Sequence, residues 1–381
     1  MPRALIVGAG IGGLAAGIAL RRIGWDIHIV ERAEAPRELG FGVGLAPNAL
    51  AALSELGVLE PVLAQAAEWR SPTAAEIRHV DGRVIRRFAG DPATLSKRNG
   101  LLRLVMRPAL HGALLEVVRD AVQVNREAVG VEMNADHARV IFRDGTFADG
   151  DVVVAADGFQ STIRAQLHPD EPPARSSGYF AVRGASQNIR ALNELQALWY
   201  FGRGVESGVV QAGASTIYWF VSLRVDDERR AGAVDAESIV RRWMPRFDAQ
   251  FRAIVEGTVL RVDELFVRAP IRSWGNGHVT LLGDAAHPML PHTGQGAAQA
   301  LEDAVGLARS LSATNDVIAA LRGYEAVRSR IANAIVRSGP LIARVTTTRS
   351  RMIGAMRNGM IRAVPLALIT GIFGKAATHP R

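Results

Sequence analysis

The pattern of apolar and polar positions predicts strands and helices that alternate at both ends of the chain, with a β-rich block between them. Residues 4–8 form a short apolar run, residues 14–23 have helical periodicity, and residues 25–31 predict a second strand. Buried strands are also predicted at residues 151–156 and 278–282, and a long helix from about residue 295 to residue 311. Further helices are predicted at 101–118 and 236–255. The Asp-Gly pairs at 81–82 and 144–145 predict hairpins.

This order of elements predicts an α/β fold. We expect a doubly wound, Rossmann-like domain built from residues 1–75, 99–170 and 275–335, because strands and helices alternate in these segments. Residues 76–98 and 171–274 are expected to form an inserted, mostly antiparallel β-sheet domain. Residues 336–381 are expected to form basic C-terminal helices.

The amino-acid composition excludes several types of covalent link and metal centre. The 381 residues include no cysteine, which excludes disulfides, thiolate zinc sites, iron–sulfur clusters and redox-active dithiols. No run of about 20 uncharged apolar residues is present, so no spanning helix is expected, and the composition fits a cytoplasmic protein. The histidines lack metal-ligand spacing, so no metal site is expected.

The net charge of +8 is unevenly distributed. Residues 322–381 carry +10, almost all of it as arginine, whereas the remaining 321 residues carry −2. Apolar residues at near-helical spacing between 352 and 364 leave two interpretations for this segment. It packs on the body of the protein, or it makes peripheral contact with an anionic membrane.

The first motif is a glycine-rich turn between a predicted strand and a predicted helix. In Gly8-Ala-Gly10-Ile-Gly12-Gly13, Gly8 permits a tight turn, Gly10 lets a pyrophosphate approach the backbone, and Gly13 lets the helix pack closely. Glu31 ends the second strand 18 residues later, where a carboxylate would bind ribose hydroxyls. The motif therefore predicts a dinucleotide site for an ADP group without a 2′-phosphate.

Two further motifs each place an acid directly after a predicted parallel strand. Asp157 opens DGFQSTIR, and Asp284 lies in GDAAHPMLPHTGQG. Ligands bind at this edge of a parallel sheet, although each aspartate alone is equally explained as a helix N-cap.

On these three motifs, the chain resembles the single-component FAD-dependent aromatic hydroxylases, the group that contains para-hydroxybenzoate, salicylate, 6-hydroxynicotinate and urate hydroxylases. The resemblance covers residues 2 to about 337. It implies that the doubly wound domain binds FAD and that the β-rich domain binds substrate. It also implies FAD contacts at a set of positions: Gly8, Gly10, Gly12, Gly13, Glu31, Arg32, Val43, Gly44, Arg107, Asp157 and Asp284.

The resemblance also implies a role for the loop that precedes the long helix. Gly294, Gly296 and Ala297 would bring backbone N–H groups and the positive end of the helix dipole to the flavin N1–C2=O edge, which becomes negative on reduction.

The resemblance implies a reaction in two halves. NADPH or NADH binds transiently and reduces FAD; O₂ then forms a C4a-hydroperoxide, and one oxygen atom passes to a small aromatic or heteroaromatic molecule. The candidate substrate residues are Arg183, Arg203, Tyr218, Met289, Pro291 and His292, with Tyr218 also the candidate catalytic residue. Some relatives carry a histidine base where this chain has Val43-Gly44-Leu45, so no activating base is assigned.

Two alternatives stay open at this point. One is a flavin monooxygenase that acts on an alkene, quinone or polycyclic antibiotic, and the other is a flavin-binding scaffold that sequesters an intermediate. Nucleic acid is not expected as a partner, because the excess charge lies in one terminal segment. A monomer or homodimer is expected.

Overall fold

The computed structural model describes residues 1–36, 41–67, 73–89, 103–230 and 235–363. Its strands are β1 (Arg3–Val7), β2 (Asp26–Val30), β3 (Gly42–Leu45), β4 (Thr73–His79), β5 (Val84–Ala89), β6 (Arg103–Met106), β7 (Val122–Gln123), β8 (Ala128–Met133), β9 (Ala138–Phe142), β10 (Phe147–Gly150), β11 (Val152–Ala155), β12 (Arg175–Ser186), β13 (Ala197–Gly202), β14 (Val205–Gln211), β15 (Ile217–Arg224), β16 (Val259–Val267), β17 (Gly275–Asn276) and β18 (Val279–Leu281). Its α-helices are α1 (Ile11–Arg22), α2 (Pro47–Leu56), α3 (Leu59–Leu63), α4 (Arg107–Val118), α5 (Thr162–Leu167), α6 (Val225–Arg230), α7 (Ala236–Trp243), α8 (Ala249–Val255), α9 (Gly296–Ala313), α10 (Val317–Thr346) and α11 (Arg351–Ala363).

A six-stranded sheet brings the three sequence motifs to one edge. Its strand order is β17-β18-β11-β1-β2-β7, and β18, β11, β1 and β2 run parallel. The three motifs follow β1, β11 and β18, which are neighbours in this sheet. Because parallel strands end at the same edge, the glycine turn, Asp157 and Asp284 lie at one end of the sheet.

Two different layers cover this sheet. Helix α1 packs against α4 and α9 on one side, and a three-stranded antiparallel sheet of β8, β9 and β10 contacts β1 and β11. Val131, Val140 and Phe142 of this small sheet join the same buried cluster as Leu5 and Val152. The prediction of a mixed α/β fold is confirmed, with a β layer where a doubly wound fold has helices.

A seven-stranded sheet forms the second body, in the order β16-β12-β15-β14-β13-β4-β5. The hairpin β4–β5, at the predicted Asp81-Gly82 turn, joins it by parallel pairing of β4 with β13. Residues such as Trp219 and Val221 of β15 pack against Trp243 and Phe251 of α7 and α8 on one face. The alternate residues of β15, starting with Tyr218, therefore point to the opposite face.

The structure corrects three sequence predictions. Residues 103–106 form a strand paired with β3, and the helix predicted from residue 101 begins only at Arg107, followed by Pro108 in its first turn. The helix predicted at 236–255 is interrupted by a 3₁₀ turn at Met244–Arg246. Helix α10 runs unbroken across the expected boundary at residues 335 and 336.

None of the helices in the described part of the chain combines the length and the hydropathy needed to span a bilayer.

Candidate active site

The glycine turn closes tightly around the beginning of α1. Gly8 has a φ of +103°, and a Cβ on Gly13 would lie 1.9 Å from the Gly8 carbonyl oxygen, so only glycine fits at either position. Gly12 packs against the next layer, since a Cβ there would lie 2.8 Å from the Leu282 side chain. A Cβ on Gly10, in contrast, would meet nothing within 4 Å. The open side of the turn therefore lies over Gly10, beside the N-terminus of α1.

Two side chains hold this turn in place. The carboxylate oxygens of Glu31 accept hydrogen bonds from the N–H groups of Ala9 and Ala33, each at 2.9 Å. The buried His111 of α4 donates from Nε2 to the Ala9 carbonyl at 2.8 Å. Glu31 keeps lone pairs for ribose hydroxyls, because a carboxylate accepts about four hydrogen bonds. His111 is absent from the predicted site, and its signal in the sequence is a polar residue on the apolar face of a helix.

Asp157 organises the loop after β11. One of its oxygens accepts hydrogen bonds from the N–H groups of Thr162 at 2.9 Å and Ile163 at 3.4 Å, so it stabilises the N-terminus of α5. Its other oxygen is buried and has no hydrogen-bond partner among the described residues. Burial raises the pKa of Asp157. The carboxyl thus has a structural role and retains an acceptor for a ligand.

Arg164 joins the second motif to the third. This buried side chain donates to the carbonyls of Ala285 at 2.9 Å and Ala286 at 2.8 Å, and pairs with Glu171 at 2.7 Å. These bonds set the spacing between the loop of Asp157 and the loop of Asp284. The sequence signal for this role is its place inside the second motif.

A buried charged network anchors the loop after β18. Asp303 of α9 accepts hydrogen bonds from His287 Nε2, from the Gly283 N–H at 3.1 Å and from Arg328 Nε at 2.7 Å. The side chains of His287, Asp303 and Arg328 are all at most 1% exposed. The network holds the turn that presents the exposed Asp284. Its signal in the sequence is the acid pair Glu302-Asp303 in a helix whose other residues from 296 to 308 are apolar or glycine except Gln299.

Acid is expected to weaken this network over a defined pH range. Burial alone would raise the pKa of Asp303, but the charges of His287 and Arg328 bring that pKa down to about 2. Because the unfolded value is about 3.9, the carboxylate stabilises the fold above about pH 4, and this contribution is lost as the pH falls towards about 2. Urea unfolding at a series of acidic pH values measures the effect. The Asp303→Asn variant should show a flatter dependence, and an unchanged one would exclude Asp303 as the source.

The loop before α9 has the geometry of a helix N-terminus that approaches a ligand. Gly294 has a φ of +63°, and Gly296 and Ala297 are the first two residues of α9. The side chain of Gln295, directly before α9, is fixed by Asn48, whose Nδ2 donates a hydrogen bond to the Gln295 side-chain oxygen at 3.0 Å. The first N–H groups of α9 are thereby fixed in direction.

Four aromatic rings form a continuous row: Phe41, which lies just before β3, and Tyr218, Phe220 and Trp199 on the second face of the seven-stranded sheet. Successive ring centroids lie 6.5, 6.1 and 5.4 Å apart. The row begins at β3, where the Tyr218 ring lies so close to Gly42 that a Cβ there would be 2.5 Å from it. All four side chains are only half-buried. This aromatic row provides an apolar surface that begins beside β3, the strand that holds Val43 and Gly44.

Tyr218 is a neutral phenol at physiological pH. Burial raises its pKa to about 12, although the charges of Arg183 and Arg107 act in the opposite direction. The hydroxyl therefore serves as a hydrogen-bond donor rather than as a base. Its predicted catalytic role stays a prediction.

His292 links the loop of the third motif to the seven-stranded sheet. Its Nε2 forms a hydrogen bond of 2.8 Å with Ser222 Oγ, and its ring packs edge-on against Tyr179 with a centroid distance of 5.3 Å. Burial lowers its pKa to about 4, so the ring is neutral. Nearby, Met289 is half-buried beside Gly296, and Pro291 is exposed.

The two arginines predicted to bind an anionic substrate group both have protein partners. Arg183 of β12 pairs with Asp263 of β16 at 3.5 Å. Arg203 lies exposed at the turn between β13 and β14 and donates to the Arg349 carbonyl at 3.2 Å. The position of Arg203 does not support its predicted contact with substrate. Sequence alone could not reveal this, because Arg349 is 146 residues away.

Replacing Arg203 with alanine is therefore expected to change substrate turnover by less than about 2-fold. An exposed side chain that donates one hydrogen bond contributes only about 0.5 kcal/mol. Steady-state kcat/KM with the preferred substrate measures this. A loss of about 10-fold or more would restore Arg203 to the binding site.

The remaining predicted cofactor positions lie on β3, at the start of α4 and after the end of β2. Val43 and Gly44 belong to β3, which pairs with β6. Arg107 begins α4 and donates its backbone N–H to the Phe41 carbonyl at 2.6 Å, while Arg32 is exposed beyond the end of β2.

These residues fit FAD. The glycine turn leaves open space over Gly10, Glu31 has spare acceptor capacity beside it, and a buried oxygen of Asp157 lacks a partner among the described residues. These features follow adjacent parallel strands, as an extended dinucleotide requires.

Comparison with known proteins agrees with this geometry. Residues 2–339 match the family model described as FAD binding domain. The chain is 35% identical to aurachin C monooxygenase/isomerase of Stigmatella aurantiaca, over 87% of this chain and 86% of the relative. It is 33% identical to 2-heptyl-3-hydroxy-4(1H)-quinolone synthase of Pseudomonas aeruginosa, over 98% and 99% of the two chains. The structure of Klebsiella pneumoniae HpxO with FAD and uric acid superposes with a TM-score of 0.86, at 26% identity, covering 99% of this chain and 96% of that one.

The chain belongs to this FAD-binding family and is a flavoprotein monooxygenase of the single-component aromatic hydroxylase type. The predicted FAD cofactor and the predicted class of reaction are confirmed. The individual site residues stay predictions.

Proposed function

We propose that the protein oxygenates a neutral N-heteroaromatic ring that carries an apolar substituent, of the 4-quinolone type. One observation carries this proposal. Beside the aromatic row, Arg183 is paired with Asp263, and a buried ionisable residue there is an acid, Glu206. A site of this kind favours a neutral ring over a carboxylate-bearing one.

The aromatic row supports the same substrate class. Half-buried rings at Tyr218, Phe220 and Trp199 offer a broad apolar surface on which a bicyclic ring can stack. The two relatives reported above also support it, since one carries a quinolone in its name and matches this chain almost from end to end.

Each part of the site then has a distinct task. FAD, when bound, supplies the electron transfer from NADPH or NADH and the activation of O₂. Gly10, Glu31 and Asp157 would hold it by its phosphate and sugar groups, and the N-terminus of α9 would stabilise negative charge at its ring. The aromatic row excludes water and orients the substrate ring, while Tyr218 donates a hydrogen bond to a substrate oxygen.

We also propose that the six-stranded sheet is the FAD-binding body and the seven-stranded sheet the substrate-binding body, without the boundary expected at residues 335 and 336, which helix α10 crosses. The full set of predicted cofactor positions is proposed with it. A monomer or a homodimer is compatible with this division.

The proposal is tested by the consumption of NADH and NADPH by FAD-loaded protein, with hydrogen peroxide measured in parallel. The panel pairs 2-alkyl-4-quinolones with hydroxybenzoates, hydroxynicotinate and urate. We expect a quinolone to accelerate consumption with little peroxide and to yield a product heavier by one oxygen atom. Coupled turnover of a carboxylate-bearing ring, with none for quinolones, would contradict the proposal.

A further inference from the structure

Glu206 is a buried carboxyl at the end of the aromatic row. It lies on β14 directly opposite Ser222 of β15, the residue bonded to His292. Opposed residues of antiparallel strands point to the same face, so Glu206 faces the same side as Ser222 and as the aromatic row. Only one strand separates it from the loop of the third motif.

One oxygen of the Glu206 carboxyl already accepts a hydrogen bond from another residue of the protein. Its Oε1 accepts a hydrogen bond from Trp199 Nε1 at 2.9 Å, which fixes the carboxyl against the last ring of the aromatic row. Its Oε2 is buried and has no hydrogen-bond partner among the described residues. The Thr346 hydroxyl lies beside the carboxyl and acts to lower its pKa, and it also donates to the Ala343 carbonyl at 3.3 Å.

The positive charge nearest this carboxyl does not neutralise it by contact. Arg357 of α11 acts on Glu206 electrostatically, but its guanidinium lies over the Phe201 ring at 4.1 Å and donates to the Thr346 carbonyl at 2.7 Å. The described residues include no ion pair to Glu206. Burial raises the pKa of Glu206, as expected for a carboxyl removed from water. A buried acceptor of this kind is costly unless a ligand completes its hydrogen bonds.

We infer that Glu206 accepts a hydrogen bond from a ring N–H of the substrate and selects N–H heteroaromatics over their N-substituted or oxygen analogues. This inference rests on the proposed function and names its specificity-determining residue. The acceptor polarises the N–H bond and increases electron density in the ring, which favours attack on an electrophilic oxygen. It thereby supplies activation that the stretch Val43-Gly44-Leu45 lacks.

The test compares a 2-alkyl-4-quinolone with its N-methyl derivative in the FAD-loaded wild-type protein and in Glu206→Gln. Wild-type kcat/KM is expected to be about 100-fold higher for the N–H compound, because the methylated one leaves the acceptor unpaired. In Glu206→Gln, the amide oxygen keeps the Trp199 bond and the NH₂ group meets the substrate N–H. We expect a loss of about 30- to 100-fold for the N–H compound and almost none for the N-methyl compound.

Glu325→Gln is the matched control. Glu325 is as deeply buried as Glu206, each being 4% exposed, and burial raises its pKa too. It bonds Thr280 and Arg322 beside the six-stranded sheet, far from the aromatic row. Its replacement should leave the ratio of the two substrates unchanged, whatever it does to stability.

Several outcomes separate failure of this inference from failure of the proposed function. If the wild type oxygenates the N–H quinolone and its N-methyl derivative equally well, Glu206 does not recognise the ring N–H group. The proposed function would stand in that case. Equal losses for both substrates in Glu206→Gln would also overturn the inference. If no quinolone is oxygenated but another ring is, the proposed function itself fails. Should Glu206→Gln not retain FAD, Glu206→Asp, which withdraws the acceptor by one methylene, replaces it with the same expected selectivity loss.

Discussion

Replacing Arg328 with leucine is expected to lower the free energy of unfolding by about 3–5 kcal/mol, the largest stability effect that we predict. The guanidinium donates to Asp303 at 2.7 Å and to Gln299 Oε1 at 2.7 Å, and lies 3.6 Å from Glu302. It contacts both buried carboxylates of one helix turn in a site that is closed to water. Without it, Glu302 keeps only neutral donors among the described residues, and Asp303 keeps only His287 and the Gly283 N–H.

The Arg328→Leu substitution should also reduce the amount of FAD that the protein retains. Asp303 also holds Gly283 and His287, so its rearrangement would displace the turn of Asp284. Urea unfolding of the FAD-free protein measures the stability change, and FAD content after purification measures the displacement of the loop.

Arg309→Leu is the matched control on the partner helix. Arg309 pairs with Glu55 at 2.6 Å in an exposed position, with about half of its side chain in water. An exposed pair of this kind contributes about 1 kcal/mol or less. Equal effects of the two substitutions would show that burial of the network does not determine its contribution.

The second large effect concerns the glycine turn, where two neighbouring substitutions should fail in different ways. Gly13→Ala is expected to destabilise the FAD-free protein by about 1–3 kcal/mol, because the new Cβ would meet the Gly8 carbonyl at 1.9 Å and force α1 outward. Gly10→Val should leave the FAD-free protein almost unchanged, because its side chain enters open space. It should weaken FAD binding by about 10- to 100-fold, since that space is where the pyrophosphate is proposed to lie.

Thermal unfolding without FAD and flavin titration followed by fluorescence separate the two effects. If Gly10→Val bound FAD as tightly as the wild type, the proposed position of the pyrophosphate would be wrong. If Gly13→Ala left the melting temperature unchanged, the close packing of α1 on the turn would not matter for stability.

Several features of this protein could be predicted because they depend on local sequence. The first turn is one, since a strand, three spaced glycines, a helix and Glu31 lie within 31 residues. Hairpins at Asp-Gly pairs are another, because the dipeptide itself favours the turn. The position of Asp157 and Asp284 at the same edge of the sheet followed from a general rule about parallel strands. Local reasoning failed at residues 103–106, where a short apolar run is compatible with either a helix or a strand and pairing with β3 decides.

Only the tertiary structure decided which side chains share the site. The sequence assigned Arg203 to the substrate, but a carbonyl near the C-terminus engages it instead. Glu206 lies three positions further along the chain, and its importance depends on the register of β14 with β15 and on the position of Trp199. Arg328 and Asp303 meet because α9 and α10 pack together. The physical reason is the same in each case: a buried polar group gains or loses its function through partners that are close in space and distant in sequence.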